Sequence, residues 1–302
     1  MKLQTPLENY PDLAGVIGLP GLYFKREDLH PYGSHKGRSI PAMIDHYSKN
    51  GDLSFAISSS GNAARAAAVH VQQLNEDNDT SGSGALTLDI FVGNHVSANK
   101  LRTIRSVAEK SSGTIRVLVK ERPLQALTMA AQEGARSLRQ STDDQALVGY
   151  ESLAEELAAA NDIEKIGAVF IGTSSGTTAQ ALATYFLKNK LSIQVHIVQT
   201  SSCHPMADGF ENYDGPDEPS VADAIVDITA QRKTALVPLI EKTGGKGWVA
   251  TNDDITAAQG LVTTHTGLDI STNSALSVAG AMKAAEIGYE IDGAVVCMIC
   301  GE

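Results

Sequence analysis

Ala168-Val169-Phe170-Ile171-Gly172-Thr173-Ser174-Ser175-Gly176-Thr177-Thr178 decides the fold class. The apolar start reads as a buried strand, the Gly/Ser/Thr run as a tight turn, and the Ala-rich sequence from Thr177 as a helix. The same grammar recurs upstream. An apolar strand at 53–58 meets Ser58-Ser59-Ser60-Gly61-Asn62 and then the Ala-rich stretch 63–74. A strand at 22–25 runs through a Pro/Gly loop into Gly33-Ser34-His35-Lys36-Gly37-Arg38, with a helix starting near Ser39. Strands that feed helices through short turns imply an α/β chain with a largely parallel sheet. Further strands are expected at 86–92, 114–119, 194–199 and 294–299. Further helices are expected at 39–49, 98–111, 124–139, 152–160, 177–189, 253–265 and 274–287. Polar stretches at 76–84 and 212–219 read as surface loops.

Composition narrows the function classes. The 302 residues allow one large or two ordinary domains. With 42% hydrophobic and 20% charged residues the chain resembles a soluble globular enzyme rather than a disordered segment. A net charge of −11 without any basic stripe argues against a nucleic-acid partner. No apolar run approaches the roughly 18 residues of a membrane helix, so no membrane partner is expected. Met1-Lys2-Leu3-Gln4-Thr5-Pro6 lacks the apolar core of a signal peptide. Three cysteines, an odd number in a long chain, fit a reducing compartment, and the expected location is cytoplasmic.

Each of the three turns could carry chemistry. Lys36 sits at a strand-to-helix junction, where a side chain can reach a crevice at the strand ends; a solvated basic helix start is the plainer alternative. Ser59, Ser60, Gly61 and Asn62 surround a helix N-terminus, which suits either an anion or an ordinary cap. In 172–178, glycines allow close backbone approach to an anion and hydroxyls add donors, although no Lys follows the second Gly as in a Walker A loop. Gly172-x-Ser174-x-Gly176 also has the form of a hydrolase nucleophile elbow, with Asp227 and His265 as conceivable partners of Ser174. Cys297-Met298-Ile299-Cys300 matches C-x-x-C, but residues three apart on a strand face opposite ways, so a shared metal or disulfide is not expected. His46, His70 and His95 lack ligand spacing, and no metal site is expected.

Taken in order, these segments resemble the tryptophan-synthase-β-like, fold-type II pyridoxal-phosphate enzymes. Gly33-Ser34-His35-Lys36-Gly37-Arg38 is similar to that family's G-S-F-K-x-R signature, whose Lys forms the Schiff base with the cofactor, and Lys25-Arg26-Glu27-Asp28-Leu29 matches what precedes it. The resemblance spans about residues 5–302. It implies two lobes, each a mostly parallel sheet flanked by helices, with pyridoxal 5'-phosphate in the cleft between them. The large lobe is expected at 1–45 plus 145–302, and the small inserted lobe at 46–144. It further implies Lys36 as the catalytic lysine and Asn62 as partner of the cofactor ring hydroxyl. Gly172, Thr173, Ser174, Ser175, Gly176 and Thr177 would be the phosphate cradle, with the family's glycine run partly replaced by Ser and Thr. Ser59, Ser60 and Gly61 would bind the substrate carboxylate. Cys300 is the candidate at the pyridine nitrogen, with Thr272 or Ser274 as substitutes.

Gly149-Tyr150-Glu151-Ser152 and Val198-Gln199-Thr200-Ser201-Ser202-Cys203-His204-Pro205 resemble segments of threonine synthases. Ser58–Ala63 and the ending Cys300-Gly301 are more similar to serine dehydratases. The resemblance therefore implies elimination or replacement on a small L-amino acid, by a homodimer as is common among relatives. The alternatives are cysteine-synthase-type β-replacement, a Ser174 hydrolase, and a non-catalytic cofactor-binding protein. A phosphorylated substrate would need basic residues, and Arg38 and Lys100 are the candidates.

Overall fold

A computed structural model describes residues 4–78, 84–94, 96, 98–161, 165–216 and 218–301. Most of the 76–84 loop, His95 and Asp217 of the 212–219 stretch lie outside the described residues. The chain divides into two compact units, residues 1–30 with 150–302, and residues 31–149. Ten strands occur among the described residues: β1 (Leu7–Asn9), β2 (Leu22–Arg26), β3 (Ser54–Ser58), β4 (Thr87–Gly93), β5 (Ile115–Lys120), β6 (Arg136–Ser137), β7 (Ile166–Gly172), β8 (Gln194–Thr200), β9 (Gly247–Ala250) and β10 (Ala294–Ile299).

In the first unit the sheet order is β1-β2-β10-β7-β8-β9, and only the β1·β2 pair is antiparallel. Every residue of β10, and all of β7 except Gly172, is buried. Helices cover both faces of such central strands, so they read as unbroken apolar runs rather than alternating ones. Helix Thr272–Glu286 supplies the largest buried helical face, with Ala275, Leu276, Val278, Ala279 and Ala281 in the same core as Phe170, Val198 and Val295. In the second unit the order is β5-β4-β3-β6, all parallel. Its core joins Phe55, Ile57, Leu88 and Ile90 to Ile40, Met43 and Ile44 of helix Lys36–Lys49 and to Ala64, Ala67 and Val71 of helix Asn62–Asn78. Edge strand β5 is blunted by Arg116, whose guanidinium grips Asp89 through two bonds of 2.6 Å.

The seven expected strands form, each within a residue or two of its predicted bounds. The short strands β1, β6 and β9, and the helices Pro11–Ile17, Gln145–Val148 and Lys233–Thr243, carry no strong periodicity and go unpredicted. The helix expected at 124–139 stops at Gln132, because the chain turns at left-handed Gly134 (φ 103°) into β6. The helix expected from Ser39 begins three residues earlier, making Lys36 its first residue.

The charges of the 25–28 stretch are structural. Buried Lys25 bonds the Thr5 carbonyl at 2.7 Å and pairs with Glu156, while Arg26 pairs with Glu8 and Asp28 at 2.7 and 2.8 Å. His196 on β8 is fully buried, stacked on Phe170 at 4.3 Å. Its Nδ1 accepts from Trp248 Nε1 and from the Lys246 N–H, each at 3.1 Å, and its Nε2 lies 3.0 Å from Gln194 Oε1. That set suits the neutral ring. Burial first, and the Lys246 charge second, push its pKa from 6.5 down to about 3. A group held neutral in the fold but protonated when unfolded stabilises fully above its unfolded pKa, and that contribution is lost as pH falls toward the folded one. Between pH 6.5 and 3 the unfolding free energy should therefore fall more steeply in the natural protein than in His196→Gln. The difference should be on the order of a few kcal/mol, read by denaturant titration at several pH values.

Candidate active site

In the 31–149 unit the chain runs from β3 to β4 to β5 on one side and returns to β6 on the other. The turn leaving β3 thus sits where the strand order reverses, the place at which open α/β sheets bind ligands. β3 ends at Ser58 and helix Asn62–Asn78 begins at Asn62, so residues 59–61 make the whole turn. Ser59, Ser60, Gly61 and Asn62 are half-buried. Ser59 Oγ accepts the Gly61 N–H at 3.3 Å, and a Cβ on Gly61 would meet nothing within 4 Å, so open space lies beside the turn.

Lys36, also half-buried, begins helix Lys36–Lys49. Gly33 ahead of it is left-handed (φ 79°), and a Cβ there would lie 2.5 Å from Arg65 Nη1. Gly149 lets the chain pass directly over this first helical turn, since its Cβ would lie 2.3 Å from the Arg38 carbonyl oxygen. That contact gives the Gly149-Tyr150 step a packing reason. Ser34 Oγ is fully buried and has no hydrogen-bond partner among the described residues. Arg38 is buried, and Lys100 is half-buried on helix Ala98–Ala108.

In the other unit the reversal falls between β7 and β10. β7 leads through 173–176 into helix Thr177–Lys188, whose N-cap Gly176 is left-handed at φ 77°. First-turn N–H groups have no acceptor inside their helix, and the dipole there favours an anion. Not every residue of the expected cradle is available to one. The Thr173 N–H extends the β7·β8 ladder to the Val198 carbonyl, and its Oγ1 donates to the Ile171 carbonyl, both at 2.8 Å. Ser174 Oγ accepts the N–H groups of Val226 and Asp227 at 3.2 and 3.3 Å. Ser175 and Thr177 hydroxyls bond each other at 2.9 Å. Gly172 serves packing as much as access, because a Cβ there would sit 2.8 Å from the Asn273 carbonyl oxygen.

At the end of β10, Cys300 donates its N–H to Ser274 Oγ at 3.1 Å, and Ser271 and Ser274 hydroxyls both bond the Gly301 carbonyl. Thr272 Oγ1 is turned away to the Val221 carbonyl at 2.9 Å. Sequence reasoning overlooked two anchors here. Ser271 caps helix Thr272–Glu286, and the Ser271-x-x-Ser274 spacing at a helix start was its signal. Buried Gln199 binds the N–H groups of Met206 and Ala207 at 2.8 and 2.9 Å and the Thr173 carbonyl at 3.2 Å, tying two loops together.

The nucleophile-elbow alternative loses its partners. Asp227 Oδ1 accepts the Thr229 and Ala230 N–H groups, His265 is exposed on helix Asn252–Thr266, and no imidazole among the described residues bonds Ser174. The three cysteines are buried thiols that form no disulfide with one another, and Cys297 points to the Ser277 carbonyl.

A family model described as pyridoxal-phosphate dependent enzyme matches residues 2–301. The chain belongs to this family. It is 23% identical to a threonine synthase of Methanosarcina acetivorans over 98% of this chain and 74% of that protein. Its fold is similar to threonine deaminase isoform 2 of Solanum lycopersicum, with TM-score 0.77, 22% identity, and coverage of 99% and 84%. It is also similar to a pyridoxal 5'-phosphate-dependent aspartate racemase, with TM-score 0.80, 19% identity, and coverage of 99% and 90%. The cofactor is pyridoxal 5'-phosphate.

The residues present fit that cofactor. The donor set is a lysine, an amide, hydroxyls, a thiol and a helix N-terminus, and among the described residues no cluster of His, Cys, Asp or Glu could hold a metal instead. Each unit also contains a fully buried hydroxyl with no partner among the described residues, Ser34 two residues before Lys36 and Ser201 just past β8. No helix among the described residues is long and apolar enough to cross a membrane.

Gly172→Ala should destabilise the cofactor-free protein by about 1–3 kcal/mol, because the Asn273 backbone must move to admit the methyl group. Thermal denaturation checks this. A fluorophosphonate probe should leave Ser174 unlabelled, as peptide mapping would show.

Proposed function

We propose that this pyridoxal-phosphate enzyme is an ammonia-lyase: it eliminates water from a small L-hydroxy-amino acid, and hydrolysis of the resulting imine by one water releases ammonia and a 2-oxoacid. The observation that carries the reading is the cluster of neutral groups that the described residues form at the end of β10. Cys300, Ser271, Ser274 and the Gly301 carbonyl are bonded to one another there, and none is a carboxylate. A neutral group at the pyridine nitrogen leaves that nitrogen unprotonated. The weaker electron sink favours prompt expulsion of a β-substituent over a long-lived carbanion, and so elimination over transamination.

Each role falls to a named residue. When bound, the cofactor supplies an electron sink for charge left on the substrate α-carbon. Lys36 Nζ would hold it and would serve as the base that accepts the substrate Cα proton. Asn62 hydrogen-bonds the ring hydroxyl. Ser59, Ser60 and the Gly61 N–H orient the substrate carboxylate, and the space beside Gly61 accommodates it. The start of helix Thr177–Lys188, with left-handed Gly176, receives the phosphate. The Ser174 hydroxyl holds the 226–227 segment beside that turn rather than acting on substrate.

The kinship with a threonine synthase favours a second reading, γ-replacement on a phosphorylated substrate. It asks for a cation to meet the substrate phosphate. Of the two named candidates, Arg38 is buried at the start of helix Lys36–Lys49, which leaves Lys100. An assay panel separates the readings: 2-oxoacid release from L-serine or L-threonine supports the lyase. Phosphate release from O-phosphohomoserine without oxoacid overturns it.

The purified protein loaded with pyridoxal phosphate should show a near-visible band that borohydride reduces and peptide mapping assigns to Lys36. Lys36→Ala should lose that covalent link and lower turnover by roughly 10³-fold or more. Full activity in this variant would remove Lys36 from the mechanism.

A further inference from the structure

A chain of hydrogen bonds in the 31–149 unit lies outside every role given above. Tyr32 Oη is 2.8 Å from His70 Nδ1, and His70 Nε2 is 2.7 Å from Asp45 Oδ1. Gln73 Oε1 is a second acceptor 2.8 Å from Tyr32 Oη, so the single hydroxyl proton can point to Gln73 or to His70. The three groups come from three elements. Tyr32 lies in the loop that ends at Lys36, Asp45 on helix Lys36–Lys49, and His70 on helix Asn62–Asn78. His70 is the hub, with one ring nitrogen turned to the loop and the other to the lysine's helix. Its side chain keeps 11% of its exposure while that of Asp45 keeps 42%, so the imidazole is shielded and the carboxylate end of the chain is open to water.

The elements joined at His70 begin with the two side chains proposed to hold one cofactor, Lys36 and Asn62. A short loop before Lys36 needs a tie of this kind. Gly33 is left-handed, and the Arg65 guanidinium occupies the space where its Cβ would be, so the loop already leans on helix Asn62–Asn78 at one point. Tyr32 supplies the second point, four residues before Lys36. Two points of attachment fix direction as well as distance, which one cannot.

The chemistry of the hub keeps the tie in either charge state. With a neutral imidazole, Nε2–H donates to Asp45 and Nδ1 accepts the Tyr32 hydroxyl proton. With imidazolium, Nδ1–H donates to Tyr32 Oη, and the hydroxyl turns its proton to Gln73 Oε1, already within reach. Gln73 is therefore the alternative acceptor that preserves the chain when His70 is charged.

We infer that Tyr32, His70 and Asp45 are positioning residues that set where the Lys36 amine sits relative to Asn62. The inference rests on the reading of Lys36 as the cofactor-bearing lysine. The two are separable, because borohydride trapping on Lys36 in the natural protein tests that reading alone. The hub is tested with Tyr32→Phe, which keeps the ring, with Asp45→Ala, which removes the acceptor at the far end, and with the double variant. The first readout is the rate at which apoprotein acquires the Lys36-linked band when pyridoxal phosphate is added. The second is the ¹⁵N chemical shift of His70 Nδ1 in the apoprotein.

Each single variant should slow band formation about tenfold while its melting temperature stays within a few degrees. The double variant should be no slower than the worse single one, since both cut the same chain. Tyr32→Phe should also move the Nδ1 shift away from that of an imidazole nitrogen bonded to a hydroxyl. Unchanged rates in both single variants, or rate losses that multiply in the double variant, would overturn the inference. Should Tyr32→Phe fail to fold, Asp45→Ala carries the same comparison from the other end of the chain, with the same band-formation rate and Nδ1 shift as readouts.

Discussion

The carboxyl edge of the larger sheet depends on one close approach, that of helix Thr272–Glu286 to the end of β7. Gly172 permits it, since any side chain would strike the Asn273 backbone. With the helix seated there, Ser274 reaches Cys300 and Gly301, and Thr272 and Asn273 bind the Val221 carbonyl and the Ala224 N–H. The 221–227 segment, held by those two bonds, then presents the N–H groups of Val226 and Asp227 to Ser174. A single missing Cβ thus lets one helix organise both the end of β10 and the turn after β7. Interiors packed at crystal density transmit such a constraint rather than absorb it.

Charge is handled differently from packing. Lys25, Arg26 and Glu27 are all buried at the end of β2, a costly arrangement unless each has a partner. Thr5, Glu8, Asp28 and Glu156 provide partners, from the stretch ahead of β1, β1 itself, the turn after β2 and helix Glu151–Asn161. Residues far apart in sequence are committed to one another by these bonds.

Much of this was legible in the sequence, and the reason is periodicity. The strands β7, β8 and β10 are apolar on both faces and could be read from composition alone. Two turns declared themselves by Gly, Ser and Asn placed between a strand and an Ala-rich helix, and Lys36 by its match to a family signature. What stayed hidden depends on contacts distant in sequence. β6 is two residues long and exists only because β3 offers an open side. The Tyr32–His70–Asp45 chain links positions whose spacing follows no ligand pattern, so His70 read as one of several scattered histidines. Ser271 escapes a reading that begins the helix at Ser274, two residues after its true start at Thr272 and three past the cap.

The Ser and Thr residues that replace glycines in the 172–178 turn illustrate how a departure from a motif can be accommodated. A hydroxyl in an anion cradle could either donate to the anion or crowd it. Here most hydroxyls turn back on the protein: Thr173 to the Ile171 carbonyl, Ser174 to the 226–227 backbone, Ser175 and Thr177 to each other. Gly176 keeps the one position where left-handed backbone is required, and Leu236 and Met206 fill the side where a Cβ would otherwise project. The helix N-terminus beyond it keeps its dipole and its first-turn N–H groups, the elements that attract phosphate in any such turn. Glycine in this turn therefore matters for close packing at 172 and for backbone shape at 176. At the intervening positions a small hydroxyl side chain that finds an internal partner serves as well.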